Sequence, residues 1–177
     1  MTFSCQRAGL DYPLSMDKRW LLEQLTERIR QSAYVAERER DAANIEAREG
    51  ATPGEKREDG RIAMEFAGLA RGQSARAERA RSELAALERF QPAPLKKGTP
   101  ITVGAVVEVE AVDDARTFFL APVGAGIELT GPGGDGFLSV VTPASPIGRA
   151  VMGRKVGESI EVLVKGTARE WTITYAC

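Results

Sequence analysis

Apolar positions recur at three- and four-residue steps along the first half of the chain. Leu22, Leu25, Ile29, Ser32 or Ala33, and Ala36 form one series. Ile62, Phe66, Leu69, Gln73, Ala77, Ala80, Leu84 and Leu87 form a second. This is the period of an amphipathic helix, and with charges on the remaining faces it is a coiled-coil seam. Gly50-Ala-Thr-Pro-Gly54 interrupts it. Gly50 suits the end of one helix, and Thr52 or Gly54 the approach to the next. The pattern predicts an antiparallel helical hairpin over residues 16–90 with its tip near 50–60 and arms ~50 Å long. The seam thins toward that tip. Ala36, Ala43 and Ala47 stand where leucines would, and Gly68 and Gly72 interrupt the second arm at ~1 kcal/mol each relative to Ala. A close approach of the helices, or a local bend, would account for the two glycines.

The period changes near residue 91. Gln91-Pro-Ala-Pro-Leu-Lys-Lys-Gly-Thr-Pro100 is turn and linker chemistry, which sets a linker at 91–99 and a second domain at 100–177. There Val107, Val109 and Ala111 alternate with Glu108 and Glu110, a half-buried strand. Strands are also expected at 116–122, 137–141, 160–164 and 170–175, the last two joined by a turn at Lys165-Gly166. Ser145-Pro-Ile-Gly-Arg-Ala-Val-Met152 reads as a short helix with Ser145 as N-cap and Pro146 at its first position. The fold class is therefore α+β.

Composition narrows the chemistry. Of 177 residues, 24 are basic and 25 acidic, and none is histidine. The balance argues against a general nucleic-acid coat. The missing imidazole excludes Ser-His-Asp and Cys-His catalysis, His-based zinc sites and His pH switching. Cys5 and Cys177 suggest neither a disulfide framework nor a zinc site, and a reducing cytoplasm is the expected compartment. No apolar run reaches the length of a membrane span. Residues 1–15, which lack the apolar centre of a signal peptide, read as a flexible extension or as sequence upstream of a start at Met16.

Two clusters are candidates for chemistry. Glu55 lies three and four positions from Glu58 and Asp59, so on a helix these carboxylates share a face. Such a set suits a hard divalent cation whose site another molecule completes. Equally, acidic residues at a helix start favour the macrodipole, with Lys56 and Arg57 as partners. The second cluster, Arg149, Arg154 and Lys155, could meet an acidic partner surface or be solubility charge. Gly131-Pro-Gly-Gly-Asp-Gly136 lacks the Lys-Ser/Thr of a phosphate loop and fits a tight turn. No nucleophile–base pair is visible, and the chain reads as something other than an autonomous enzyme.

Ser145-Pro-Ile-Gly-Arg-Ala-Val-Met-Gly-Arg-Lys-Val-Gly-Glu158 resembles the hallmark of the bacterial GreA/GreB transcript-cleavage factors. That hallmark reads Ser-Pro-Ile/Leu-Gly-x-Ala-Leu-x-Gly-Lys-x-x-Gly-Asp before a two-strand close. Ile127-Glu128 and Ser139 fit the strand and bend that precede it. The hairpin matches the family in architecture, so the resemblance extends over residues 16–177. It implies a coiled coil ahead of an FKBP-like domain, in a monomeric, cytoplasmic protein that docks on bacterial RNA polymerase. Docking would use Ser145, Pro146, Ile147, Gly148, Arg149, Gly153, Arg154 and Lys155 at the rim of the secondary channel. The coiled coil would enter the channel. There Glu55, Glu58 and Asp59 would help hold the polymerase's second Mg²⁺, which activates water to cleave backtracked RNA. The resemblance implies no intrinsic metal or cofactor, no membrane, and contact with RNA and DNA only through the polymerase.

The tip departs from the family pattern. Active members carry Asp-x-x-Glu-Asn-x-Glu-Tyr, whereas this turn reads Thr52-Pro-Gly-Glu-Lys-Arg-Glu-Asp-Gly-Arg61. The run Glu65-Phe-Ala-Gly-Leu-Ala-Arg-Gly-Gln73 resembles a divergent branch of the family. A regulator that occupies the channel without cleaving is the alternative function. An FKBP-like fold also raises prolyl isomerisation, but strand alternation assigns several of Phe118, Phe119, Phe137, Trp171 and Tyr175 to a small core rather than a pocket. A self-associating coiled-coil adapter is disfavoured, because a hairpin satisfies its seam internally.

Overall fold

The computed structural model describes residues 18–49, 58–131, 136–164 and 166–177, with the backbone alone at 46–49, 58–63 and 164. Glu55, the turn at 50–57 and residues 1–17 lie outside the described residues, as does most of the glycine-rich 131–136 stretch. The order of elements is two long helices, then a β-rich region crossed by one short helix. The α+β expectation holds.

Helix α1 spans Lys18–Glu49 and α2 spans Glu58–Glu88. Leu21, Leu25, Ile29, Ala33, Ala36 and Ala43 are buried along α1; Ala70, Gln73, Ala77, Ala80 and Leu87 are buried along α2. The seam differs from the sequence reading at two places. On α1 it starts at Leu21, and Leu22 is half-buried. On α2 Leu69 is 51% exposed and Ala70 takes its place. The reason is register. Steps that alternate strictly between four and three residues run 66, 70, 73, 77, 80, 84, 87, and Leu69 falls outside them. An apolar residue was available at 69, but the period selects the alanine.

Contacts divide the chain into two compact units. One is Thr26–Ala85; the other joins the described residues up to Leu25 with Ala86–Cys177. The linker expected at 91–99 falls within the second. In the first unit, Arg81 of α2 reaches across to Glu37 of α1 and also meets Glu78. The hydrogen bond and charge of Glu37 hold the Arg81 guanidinium above its ordinary pKa, with Glu78 adding to the effect. Close helix approach does not explain the glycines. A Cβ at Gly72 would meet nothing within 4 Å, and one at Gly68 only Arg71 Nη2 at 4.0 Å.

The second unit contains a six-stranded sheet: β1 (Val106–Glu110), β2 (Ala115–Leu120), β3 (Glu128–Thr130), β4 (Phe137–Val141), β5 (Ser159–Val164) and β6 (Thr167–Ala176). Their order is β3-β4-β2-β1-β6-β5. β2 and β4 pair in parallel, while the other neighbours are antiparallel. Alternation sends Val107, Val109, Phe118, Leu120, Ile160, Val162, Trp171 and Ile173 into one core. Helix α3 (Pro146–Val151) contributes Val151 to that core, and Ile147, Ala150 and Met152 pack against it. Val106, Phe119, Leu129, Leu138 and Val140 are buried on the other face. Phe137 opens β4 but is 77% exposed, so this aromatic is no part of the core.

The edge strand β3 is closed by a side chain. Gln24 Oε1 accepts from the Thr130 backbone N–H at 3.1 Å, and Gln24 Nε2 donates to the Thr130 carbonyl at 3.3 Å. The amide thus supplies both partners that a further strand would give. Gln24 sits on α1 between Leu21 and Leu25, both fully buried. No described helix is long and apolar enough to cross a membrane.

Candidate functional site

The segment Ser145–Lys155 is shaped by its own backbone chemistry. Ser145 sits in extended conformation at the N-cap of α3, and its Oγ accepts from the Gly148 N–H at 3.1 Å. The same hydroxyl donates to the Thr142 carbonyl at 2.7 Å. Pro146 opens the helix where its missing N–H costs nothing. Gly148 is buried, and a Cβ there would lie 2.0 Å from the Thr142 carbonyl oxygen. Only a residue without a side chain permits that approach.

Beyond α3 the chain turns at Gly153, whose φ of 75° lies in the left-handed region. The turn is tied down by two backbone bonds: Gly153 N–H to the Ile101 carbonyl at 2.9 Å, and Ile101 N–H to the Arg154 carbonyl at 2.7 Å. The result is a knuckle with Val151 in the core and Ile147, Ala150 and Met152 packed against it.

Its charges separate into two kinds. Arg154 pairs with Glu158 at 3.2 Å, and Glu158 Oε1 also accepts from the Lys155 backbone N–H at 3.1 Å. This exposed pair is worth little energetically, but it fixes the loop. Arg149 and Lys155 are exposed, with Arg149 Nη1 donating to the Ala144 carbonyl at 2.7 Å. The half-exposed Val156 adjoins them. Of the eight residues expected to bind a partner, Ser145, Pro146, Ile147, Gly148 and Gly153 build the knuckle, and Arg149 and Lys155 present its positive charge. Sequence reasoning missed Glu158 as the anchor of this loop; its four-residue spacing from Arg154 was the available signal.

A second arrangement was also missed. Trp171 is buried, with the guanidinium carbons of Arg116 and Arg169 at 5.2 and 5.9 Å from its ring centroid. Asp113 holds Arg169 at 2.6 and 2.7 Å, and Asp114 holds Arg116 at 2.9 and 3.0 Å. Paired acids beside paired cations leave a closed charge set that braces the β1–β2 turn. On the opposite sheet face, Glu110, Ala111, Val112, Ser159, Glu170, Thr172 and Thr174 line an open groove of about 470 Å³.

The acidic trio is placed only in part. Glu58 and Asp59 begin α2, and Glu55 lies outside the described residues. Among the described residues no group of three or more Cys, Asp or Glu converges on a metal position.

Residues 96–176 match the family model described as transcription elongation factor, GreA/GreB, C-term. No curated protein matches the chain. Solved structures similar to it include Thermus aquaticus Gfh1, at 20% identity over 90% of this chain and 90% of that one, with a TM-score of 0.37. The GreA factor homolog 1 (Gfh1) protein of Thermus thermophilus is 18% identical over 86% and 94%, with a TM-score of 0.34. The prokaryotic transcription elongation factor GreA/GreB from Nitrosomonas europaea is 17% identical over 55% and 77%, also with a TM-score of 0.34. At these identities and TM-scores the structural likenesses add no argument to the family match.

Proposed function

We propose that the chain is a divergent member of the GreA/GreB family of transcription elongation factors, whose C-terminal model matches residues 96–176, and that it docks on bacterial RNA polymerase and stimulates cleavage of backtracked RNA. The observation that carries this reading is the family match over 96–176, which includes the whole knuckle. The knuckle would seat on an acidic rim of the polymerase's secondary channel, with Arg149 and Lys155 as the charges that meet it. The hairpin would enter the channel.

The polymerase would perform the chemistry. Glu55, Glu58 and Asp59 would supply extra carboxylate oxygens to its second Mg²⁺, an ion that otherwise keeps its waters and binds loosely. The factor needs no cofactor of its own for this role. A backtracked elongation complex at limiting Mg²⁺ tests the proposal. Short 3′ fragments should appear faster with the protein than without it. Replacing Glu55, Glu58 and Asp59 together by Ala should abolish the acceleration while leaving binding intact. Unchanged cleavage by that variant would remove the trio from the mechanism.

A second reading rests on the tip sequence, which lacks the Asn-x-Glu-Tyr of the cleaving members. Binding without fragments would assign the protein to channel occupancy, altering initiation or pausing.

A further inference from the structure

We infer that α2 carries a built-in point of local opening at Gly68–Ser74, and that the buried Gln73 is what favours the opening. Gln73 occupies a seam position between Ala70 and Ala77 and is 7% exposed, yet its Oε1 has no hydrogen-bond partner among the described residues. A buried acceptor without a donor favours any state that admits water to it. The inference stands on the hairpin alone.

The surrounding residues all lower the cost of reaching that state. Gly68 and Gly72 have helix-weakening backbones that no neighbour demands, since a Cβ would find at most Arg71 Nη2 at 4.0 Å. Ser74 Oγ donates to the Ala70 carbonyl at 2.8 Å, so the side chain shares the acceptor of a backbone helix bond. The buried seam side chains nearest Gln73 along α2 are the methyl groups of Ala70 and Ala77. The next stretch of the same helix has no such weakness. Ala77 and Ala80 keep the period, Leu84 follows, and Arg81 is clasped to Glu37. Weakness is therefore concentrated in one pair of turns, where Gln73 leaving the seam gains hydration and its buried seam neighbours along α2 are alanines. Opening there uncouples the residues before Gly68 from the helix after Ser74 without unfolding either.

Native-state hydrogen exchange of the full chain in low urea tests this. Amides of 69–76 should exchange faster than those of 77–85, with rates insensitive to urea, the mark of a small local opening. Gly68→Ala and Gly72→Ala should each slow exchange at 69–76 about fivefold. Gln73→Leu should slow it as well. Amides of β1 and β6 should stay within about twofold of wild type in all three variants, because their opening is separate. The inference is overturned if 69–76 and 77–85 share one rate and one urea slope. It is also overturned if the variants slow both segments equally, which would report a change in global stability.

Discussion

Ser145 and Gly148 shape the same turn by opposite means. The serine acts through what its side chain adds, a cap for the Gly148 N–H and a donor to Thr142. The glycine acts through what it lacks, because a Cβ would lie 2.0 Å from the Thr142 oxygen. Ser145→Ala should therefore cost about 1 kcal/mol. Gly148→Ala should cost about 3 kcal/mol, since backbone must move rather than a flexible side chain. Urea unfolding of the two variants checks the order; equal midpoints would show that the close approach is relieved without strain. The cap was legible in the sequence, because Ser-Pro followed by a helical stretch is a local signal. The need for glycine was not, because it depends on where residue 142 passes.

Among elements, the helices and the sheet were legible to different degrees for the same reason. Helical period fixed both arms, but the exact seam depends on the partner arm, and an apolar residue one step off register misleads. Leu69→Gln should change stability by less than about 0.5 kcal/mol, as befits a surface position. Ala70→Gln places a longer polar chain in the seam and should cost about 1–3 kcal/mol. Thermal melts of the pair decide it, and the reverse order would restore Leu69 to the seam. Strands β1, β5 and β6 announced themselves by alternation. β3 spans only Glu128–Thr130, too short for a period, and it is completed by Gln24 from a distant helix. Gln24→Ala removes both hydrogen bonds to Thr130 and should cost about 1–2 kcal/mol. Hydrogen exchange at Thr130 should accelerate in that variant; an unchanged rate would mean the strand edge holds without the amide.

For the molecule as a whole, the charge left over after internal pairing decides what can dock. Arg154 is committed to Glu158, and Arg116 and Arg169 to Asp114 and Asp113. Among the described residues, Arg149 and Lys155 are the exposed knuckle cations outside the Arg154–Glu158 ion pair. Reversing both, Arg149→Glu with Lys155→Glu, should weaken polymerase binding about tenfold or more at low salt, with the difference shrinking as salt rises. Melting of the free protein should be unchanged, and salt-independent binding by the variant would point to a different docking face. The carboxylate trio was visible as spacing in the sequence, but the role proposed for it lies at a metal of another protein, which no intramolecular pattern encodes. The Gln24 clamp has a consequence for modular exchange. The composition shift near residue 91 invites a cut there when parts are recombined among relatives. A graft joined at that point would import a foreign residue at position 24 and leave β3 with a bare margin, ready to recruit a neighbouring chain. Exchanges that respect the fold would cut α1 after Leu25 and α2 before Ala86, so the transferable cassette is the middle of the hairpin rather than the whole of it.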